Sequence, residues 1–325
     1  MKGEFVISLD FELHWGIFDK VNFEENQSYF ENTRQLIPEL LKLFQDYNIE
    51  VTWATVGMLV NDNYKDWIHN QPKEKPNYNN EILSAYNWVN NNKQTIKTNK
   101  LGHFAPELVQ QIIDAKGQEM GSHTYAHYYC LDKGQTVNEF NEDANRFAEI
   151  AKKQNIKLES LVFPRNQYNQ EYLEVCKNNG LKIVRANPNN WCWNYDFPIS
   201  ILQKIARTLD CYIPLFKTSF KKENVTSQKG VVLFPASRFL KPVSQFNLLN
   251  SLRIKRIKNE MTRSAKKGEF YHLWWHPHNF GNSPKQAIEE LEAILKHYVF
   301  LKNTYKMKSS NMINVYKSHF SKNEE

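Results

Sequence analysis

No stretch of eighteen consecutive apolar residues occurs in this 325-residue chain, so the sequence contains no bilayer-spanning helix. The first residues, one lysine followed by a strand-like run that contains Asp10, lack the pattern of a secretory leader. A cytoplasmic location is the expectation. No Cys-x-x-Cys spacing occurs among Cys130, Cys176, Cys192 and Cys211, which favours buried free thiols over a disulfide frame or a zinc knuckle. There is no internal repeat and no Gly/Ser-rich linker to divide the chain. Basic arrays interleaved with aromatic residues are also missing, which argues against nucleic acid as a partner. The formal charge of +7 suits anionic partners such as phosphates or a membrane surface.

What the chain does have is a recurring short apolar run: "FVISLD" (5–10), "VTWATVG" (51–57), "GQEMGSH" (117–123), "SLVFPRN" (160–166), "KIVRAN" (182–187), "VVLFPAS" (231–237) and "FYHLWWHP" (270–277). Helical patterns lie between them. In "TRQLIPELLKLFQDYN", Leu36, Ile37, Leu40, Leu41 and Phe44 recur at spacings of three and four, as one buried helix face requires. Strands alternating with helices predict an α/β fold with a parallel sheet and right-handed crossovers. Seven such units predict a distorted or incomplete (β/α)7 barrel, with chemistry at the carboxyl ends of its strands. We expect one catalytic domain over 1–305, an excursion at about 60–100, a long insertion at about 188–230 and a polar, loosely held tail at 306–325.

The residues that carry chemistry fall at those strand ends. Asp10 and Glu12 are two apart, which on a strand turns both to one side. They read either as one metal ligand and one general base or as surface charges at a turn. In "GSHTYAHYY", His123 and His127 are four apart, a spacing that on a first helical turn directs both imidazoles to one metal. The other reading is a solvated turn. Arg165, in "FPRNQY", would hold Asp10 in place and keep it ionised. "FYHLWWHPHNF" puts His272, Trp274 and His276 on one face. His276, first at the strand end before Pro277, is preferred over His278 as the proton donor to a leaving group, with His278 left as a supporting or sugar contact.

In this order the motifs resemble those of the polysaccharide deacetylase family, the NodB-like carbohydrate esterases of family four. That resemblance implies a distorted (β/α) barrel that uses a divalent metal to remove N- or O-linked acetyl groups from sugars. In "SLDFELHWG", Asp10 matches the family's base, and Glu12 stands one residue beyond the position of its metal-binding aspartate. "HTYAH" fits the second motif and marks His123 and His127 as ligands. "FPRN" only approximates the third, R-x-P, motif. "HLWWHP" fits the last and marks His276 as the acid. "NNWCW" is assigned to the aromatic motif. "SRFLKP" and "HLWWHPHNFG" look like deacetylase-like proteins encoded with surface-polysaccharide genes, which implies glycan assembly.

The expected reaction is therefore metal-assisted hydrolysis of a sugar amide or ester, on a free glycan or a lipid-linked precursor. Zn2+ is the first choice, with Co2+, Ni2+ or Mn2+ compatible with the same donors. Trp15, Trp191, Trp193 and Trp274 would stack on pyranose rings. The alternatives are a deformylase or cyclic-amide hydrolase, and a glycan-binding barrel without catalysis. The stretch at 248–270 carries Leu248, Leu249, Leu252, Ile254, Ile257 and Met261 at near-helical spacing. Arg253, Lys255, Arg256, Lys258, Arg263, Lys266 and Lys267 stand there against Glu260 alone. It reads as an ordinary barrel helix with a solvated basic face, or as a peripheral contact with anionic lipid at the inner membrane face or with a lipid-linked diphosphate.

Overall fold

The structure, a computed structural model, describes residues 2–188, 190–193 and 200–321. Parts of the expected insertion (189 and 194–199) and the end of the expected tail (322–325) lie outside the described residues. The strands are β1 (Glu4–Phe11), β2 (Val51–Thr55), β3 (Gln118–Ser122), β4 (Ser160–Leu161), β5 (Ile183–Ala186), β6 (Thr226–Gln228), β7 (Val231–Pro235), β8 (Arg238–Phe239), β9 (Phe270–Trp275) and β10 (Lys308–Ser310). Every one of the seven runs read from the sequence contains a strand.

Neighbours run β6-β7-β5-β4-β3-β2-β1-β9-β8, with β10 on β1. All pairings are parallel except that of β6 with β7. β7 lies against β5. The Ala236 amide then bonds Ala186, the Ser237 amide bonds His272, and β8 continues along β9. This step across the opening at the carboxyl ends makes the sheet an incomplete seven-stranded (β/α) barrel.

The helices are α1 (Gln27–Asp46), α2 (Tyr64–His69), α3 (Ala85–Asn91), α4 (Lys93–Thr98), α5 (Pro106–Asp114), α6 (Val137–Lys153), α7 (Gln170–Asn178), α8 (Ile201–Asp210), α9 (Asn247–Lys267), α10 (Pro284–Tyr305) and α11 (Met312–His319). Among the described residues none is long and apolar enough to cross a membrane. The alternation of β1 explains the two cores. Phe5, Ile7, Leu9 and Phe11 face outward into a large core with Leu36, Ile37, Leu40, Leu41 and Phe44 of α1. Val6 faces inward to a small barrel core with Ala54, Val162, Ile183, Val232, Phe234 and Phe270.

Two expectations need correction. Residues 306–321 are not a loose tail. β10 extends the sheet beside β1, and α11 closes the amino end of the barrel with Met312 and Val315 buried in the inner core. The amide of Met312 donates to Thr52 Oγ1 (2.8 Å), and that of Ile313 to the half-buried Glu119 carboxylate (3.1 Å). Short polar helices can be read as tails because their apolar side is only a few residues wide. The basic stretch on α9 is also not uniformly solvated. Arg253 bonds Glu290 and the Lys241 carbonyl, and Arg256 bonds Asp210 and Glu260 (both 3.0 Å). Its apolar stripe is split, with Ile257 and Met261 buried and Leu248 and Leu252 exposed.

Met312→Ala, which empties the barrel floor, is therefore expected to lower unfolding stability by about 2–5 kcal/mol in urea titrations. Leu248→Ser should stay within about 0.5 kcal/mol of the parent. Equal effects of the two substitutions would show that α11 does not seal the barrel.

Candidate active site

β1 ends at Phe11, and the chain then turns sharply through Leu13, whose φ is +46°. That turn leaves Glu12 at the lip of the barrel beside Asp10 and drives Trp15 inward. Trp15 is fully buried, and its indole N–H donates to the His103 carbonyl (2.7 Å). It supports the floor of the lip and does not line the cavity, contrary to the sequence expectation. Gly16 has a steric reason here. A Cβ at this position would lie 1.9 Å from Glu12 Oε1, so only glycine leaves room for the carboxylate.

The histidine loop converges on Glu12, though not by the helical turn its spacing suggested. Residues 123–128 carry no helix. Thr124 (φ +63°) and His127 (φ +54°) adopt left-handed backbone, and the buried Asp143 of α6 accepts the amides of Tyr125 (2.7 Å) and Ala126 (2.9 Å). Burial pushes the pKa of Asp143 up to about 7 against the pull of those two amides. The result is that His123 Nε2 and His127 Nε2 lie 3.1 and 3.2 Å from the same oxygen, Glu12 Oε2. His123 Nδ1–H donates to the Val162 carbonyl (2.8 Å), which fixes the ring with Nε2 toward Glu12. His127 Nδ1 lies 3.0 Å from the Tyr129 hydroxyl.

Two imidazole nitrogens and one carboxylate oxygen, all buried and mutually within 4.8 Å, form a donor set that fits a divalent ion of the zinc type. A second group, Glu12 with His276 and His278, meets the same spacing. His276 Nε2 is 3.6 Å from both Glu12 Oε1 and Asp10 Oδ2, and its Nδ1 lies 3.2 Å from Asn279 Oδ1. His278 is buried, and burial pulls its pKa down to about 3. Burial opposes ionisation of Glu12, but His276, His123 and His127 outweigh it and hold the carboxyl well below its usual range.

Asp10 is held by an arginine, but not by Arg165. Arg185, inward-facing on β5, makes a bidentate pair with it through Nη1–Oδ1 (2.6 Å) and Nη2–Oδ2 (2.7 Å). Its remaining donors reach Ser8 Oγ (3.1 Å) and Asn166 Oδ1, and its plane stacks 4.1 Å over Trp274. Burial would raise the Asp10 pKa, but Arg185, followed by His123 and His276, lowers it overall. Arg165 takes a left-handed backbone (φ +55°) that turns its side chain away from Asp10. It pairs with Asp19 (2.7 Å) and stacks 4.1 Å over Tyr129.

These groups line one cavity of about 490 Å³, bounded by Asp10, Glu12, His123, His127, His276 and His278, with Arg165, Trp193, Arg207, Phe239 and Trp274 among its walls. Trp191 does not line it. It is exposed and meets Phe216 edge to face. A larger groove of about 680 Å³ between α9 and α10 gathers no comparable chemistry. Arg185, Asn166, Asp143 and Gly16 were missed from the sequence. Only Arg185 left a clear trace, as a lone cation in the apolar strand "KIVRAN".

A search of curated proteins finds no match. Among solved structures the chain is similar to a Mycobacterium smegmatis protein assigned to the polysaccharide deacetylases (TM-score 0.63, 12% identity, covering 99% of this chain and 92% of that one). A corresponding Pseudomonas aeruginosa PAO1 protein gives a TM-score of 0.58 at 12% identity (99% and 91% covered). PuuE allantoinase gives 0.60 at 10% (99% and 91%). At such identities these likenesses speak to the fold. The family profile described as polysaccharide deacetylase matches residues 18–184, a span that includes His123 and His127 and stops one residue before Arg185. With just over half of its length matched, this chain belongs to the polysaccharide deacetylase family.

Proposed function

We propose that the protein is a metal-dependent deacetylase that removes an acyl group, acetyl first, from an amino sugar or sugar ester of a surface polysaccharide or its lipid-linked precursor. The observation that carries this reading is the convergence of Glu12, His123 and His127 beside a separately held carboxylate, Asp10, in one cavity. Glu12, His123 and His127 would hold the ion, with Zn2+ the best fit to one oxygen and two imidazole donors. Bound there, a divalent ion supplies Lewis-acid polarisation and a more acidic water.

The rest of the chemistry belongs to the chain. Asp10, kept ionised by Arg185, takes the proton of the attacking water. His276, a quarter exposed at the cavity mouth, gives a proton to the departing sugar nitrogen or oxygen. Trp193 and Phe239 offer apolar walls to the C–H face of a pyranose, and Trp274 backs the Arg185 plane. The deciding experiment is acetate release from acetylated amino-sugar oligosaccharides, with and without chelator. Formylated sugars and cyclic ureides are run beside them. Turnover of the ureides alone would replace this reading with cyclic-amide hydrolysis.

Four outcomes are expected from variants. His123→Ala and His127→Ala should each lose bound metal and turnover with the circular dichroism spectrum unchanged. Stoichiometric metal in both would remove them as ligands. Gly16→Ala should weaken metal binding by about 10–100-fold, the range for disturbing a group that positions a ligand.

Asp10→Asn should retain metal and lose about 10²–10⁴ in turnover. For Arg185→Gln the pH sign is defined. Arg185 favours the ionised carboxylate, and without it burial dominates and raises the Asp10 pKa. The acidic limb of kcat/KM should then move to higher pH, by about 1–3 units. A limb that stays in place or moves down would separate Arg185 from the base.

A further inference from the structure

Helix α8 is inside out. Its Ile201, Leu202, Ile205 and Leu209 recur at spacings of three and four and are 74%, 71%, 49% and 45% exposed. Gln203, Arg207 and Asp210 face the protein instead. Gln203 and Asp210 are buried. Asp210 is held by Arg238 and Arg256 (both 3.0 Å), and Arg207 donates to the Cys192 carbonyl (2.6 Å) and stacks 4.4 Å over Trp193. An amphipathic helix in a globular domain ordinarily buries its apolar stripe. The apolar surface continues beyond α8 through exposed Ile213 and Leu215. Exposed Leu252 and Leu248 lie one and two turns before Arg256 on α9, which reaches Asp210 at the end of α8.

The charge of the same surface is one-sided. Lys204 on α8 and Lys255 on α9 are exposed, Lys258 is half-buried, and Lys241 lies 5.5 Å over the ring of Tyr212 in the segment after α8. Asp210 and Glu260, the acids of α8 and α9, are both buried and paired with Arg238 and Arg256.

We infer that α8, the segment after it and the start of α9 form a docking face for an anionic lipid bilayer, with the α8 stripe seated among the acyl chains and the lysines among the head groups. An exposed aliphatic row flanked by cations is the composition of an interfacial helix. A second copy of the chain would bring like charge against like charge. A nucleic acid would find aliphatic residues where stacking rings are needed. The inner side of α8 explains what docking does. Arg207 and its stacking partner Trp193 line the catalytic cavity. The helix that touches the bilayer therefore also forms part of the wall that meets the glycan, as a lipid-anchored substrate requires. This substrate assignment rests on the deacetylase reading; the docking itself does not.

The test is co-sedimentation of the full chain with phosphatidylcholine vesicles and with phosphatidylcholine/phosphatidylglycerol vesicles, at low and high salt. Binding is expected to the anionic vesicles, reduced by salt. The triple variant Ile201→Gln, Ile205→Gln, Leu209→Gln should bind at least about tenfold more weakly, as expected when three aliphatic anchors are lost. Lys204→Gln with Lys241→Gln and Lys255→Gln should lessen the salt dependence. His123→Ala should bind vesicles like the parent, so failure of catalysis and failure of docking are read separately. The inference is overturned if the parent chain stays in the supernatant at low salt, or if the aliphatic triple variant binds equally well. It is also overturned if light scattering shows a dimer that this variant dissolves.

Discussion

The buried pair of Arg185 and Asp10 is the constraint around which the carboxyl end of the barrel is arranged. Removing two charges from water costs several kcal/mol per ion, and only near-complete hydrogen bonding offsets it. Here both carboxylate oxygens are matched, and the other guanidinium donors are taken by Ser8 and Asn166. These partners come from β1, β5 and the turn after β4, and Trp274 of β9 closes the remaining face. Four strand ends are thus fixed relative to one another by a single side chain. A well-packed apolar pair would give comparable stability. What an apolar pair would not give is a carboxylate that remains ionised inside a cavity, so the pair is best understood through the chemistry of Asp10.

Glu12 solves a different problem of reach. It lies just past the end of β1. Its extra methylene, the left-handed turn at Leu13 and the space left by Gly16 together bring Oε2 back over the barrel to His123 and His127. The three features depend on one another. An aspartate at position 12 would fall short, and a side chain at position 16 would occupy the carboxylate's place.

Much of this was legible in the sequence. Short apolar runs gave the seven strands, because a parallel strand is buried on both faces, and the 3.6-residue period gave α1, because a helix is buried on one. Carboxylates and histidines at strand ends gave the residues of the cavity, because a parallel barrel gathers those ends. Partners set by tertiary geometry could not be read. Arg165 and Arg185 both follow apolar runs, and what separates them is tertiary: Arg185 lies inward on β5 against Asp10, whereas Arg165, in left-handed backbone, reaches Asp19. Trp15 and Trp191 looked like sugar platforms, yet one is buried by the Leu13 turn and the other points outward. The tail was misjudged because the surface it seals exists only once the barrel has formed.

That seal shows how the barrel tolerates a polar interior. Near the amino end, Glu119 accepts Thr52, Ser160 and the Ile313 amide, and burial still raises its pKa. Near the carboxyl end lies the Arg185–Asp10 pair with His123 and His127. Between the two polar layers sits only the thin apolar belt that includes Val6, Ala54, Ile183 and Phe234. The belt is too small to account for the fold. The extensive contact between the outer faces of the strands and the surrounding helices supplies most of the buried apolar surface. Stability is therefore concentrated outside the barrel, and this leaves the strand ends free to carry charged groups whose burial would otherwise oppose folding.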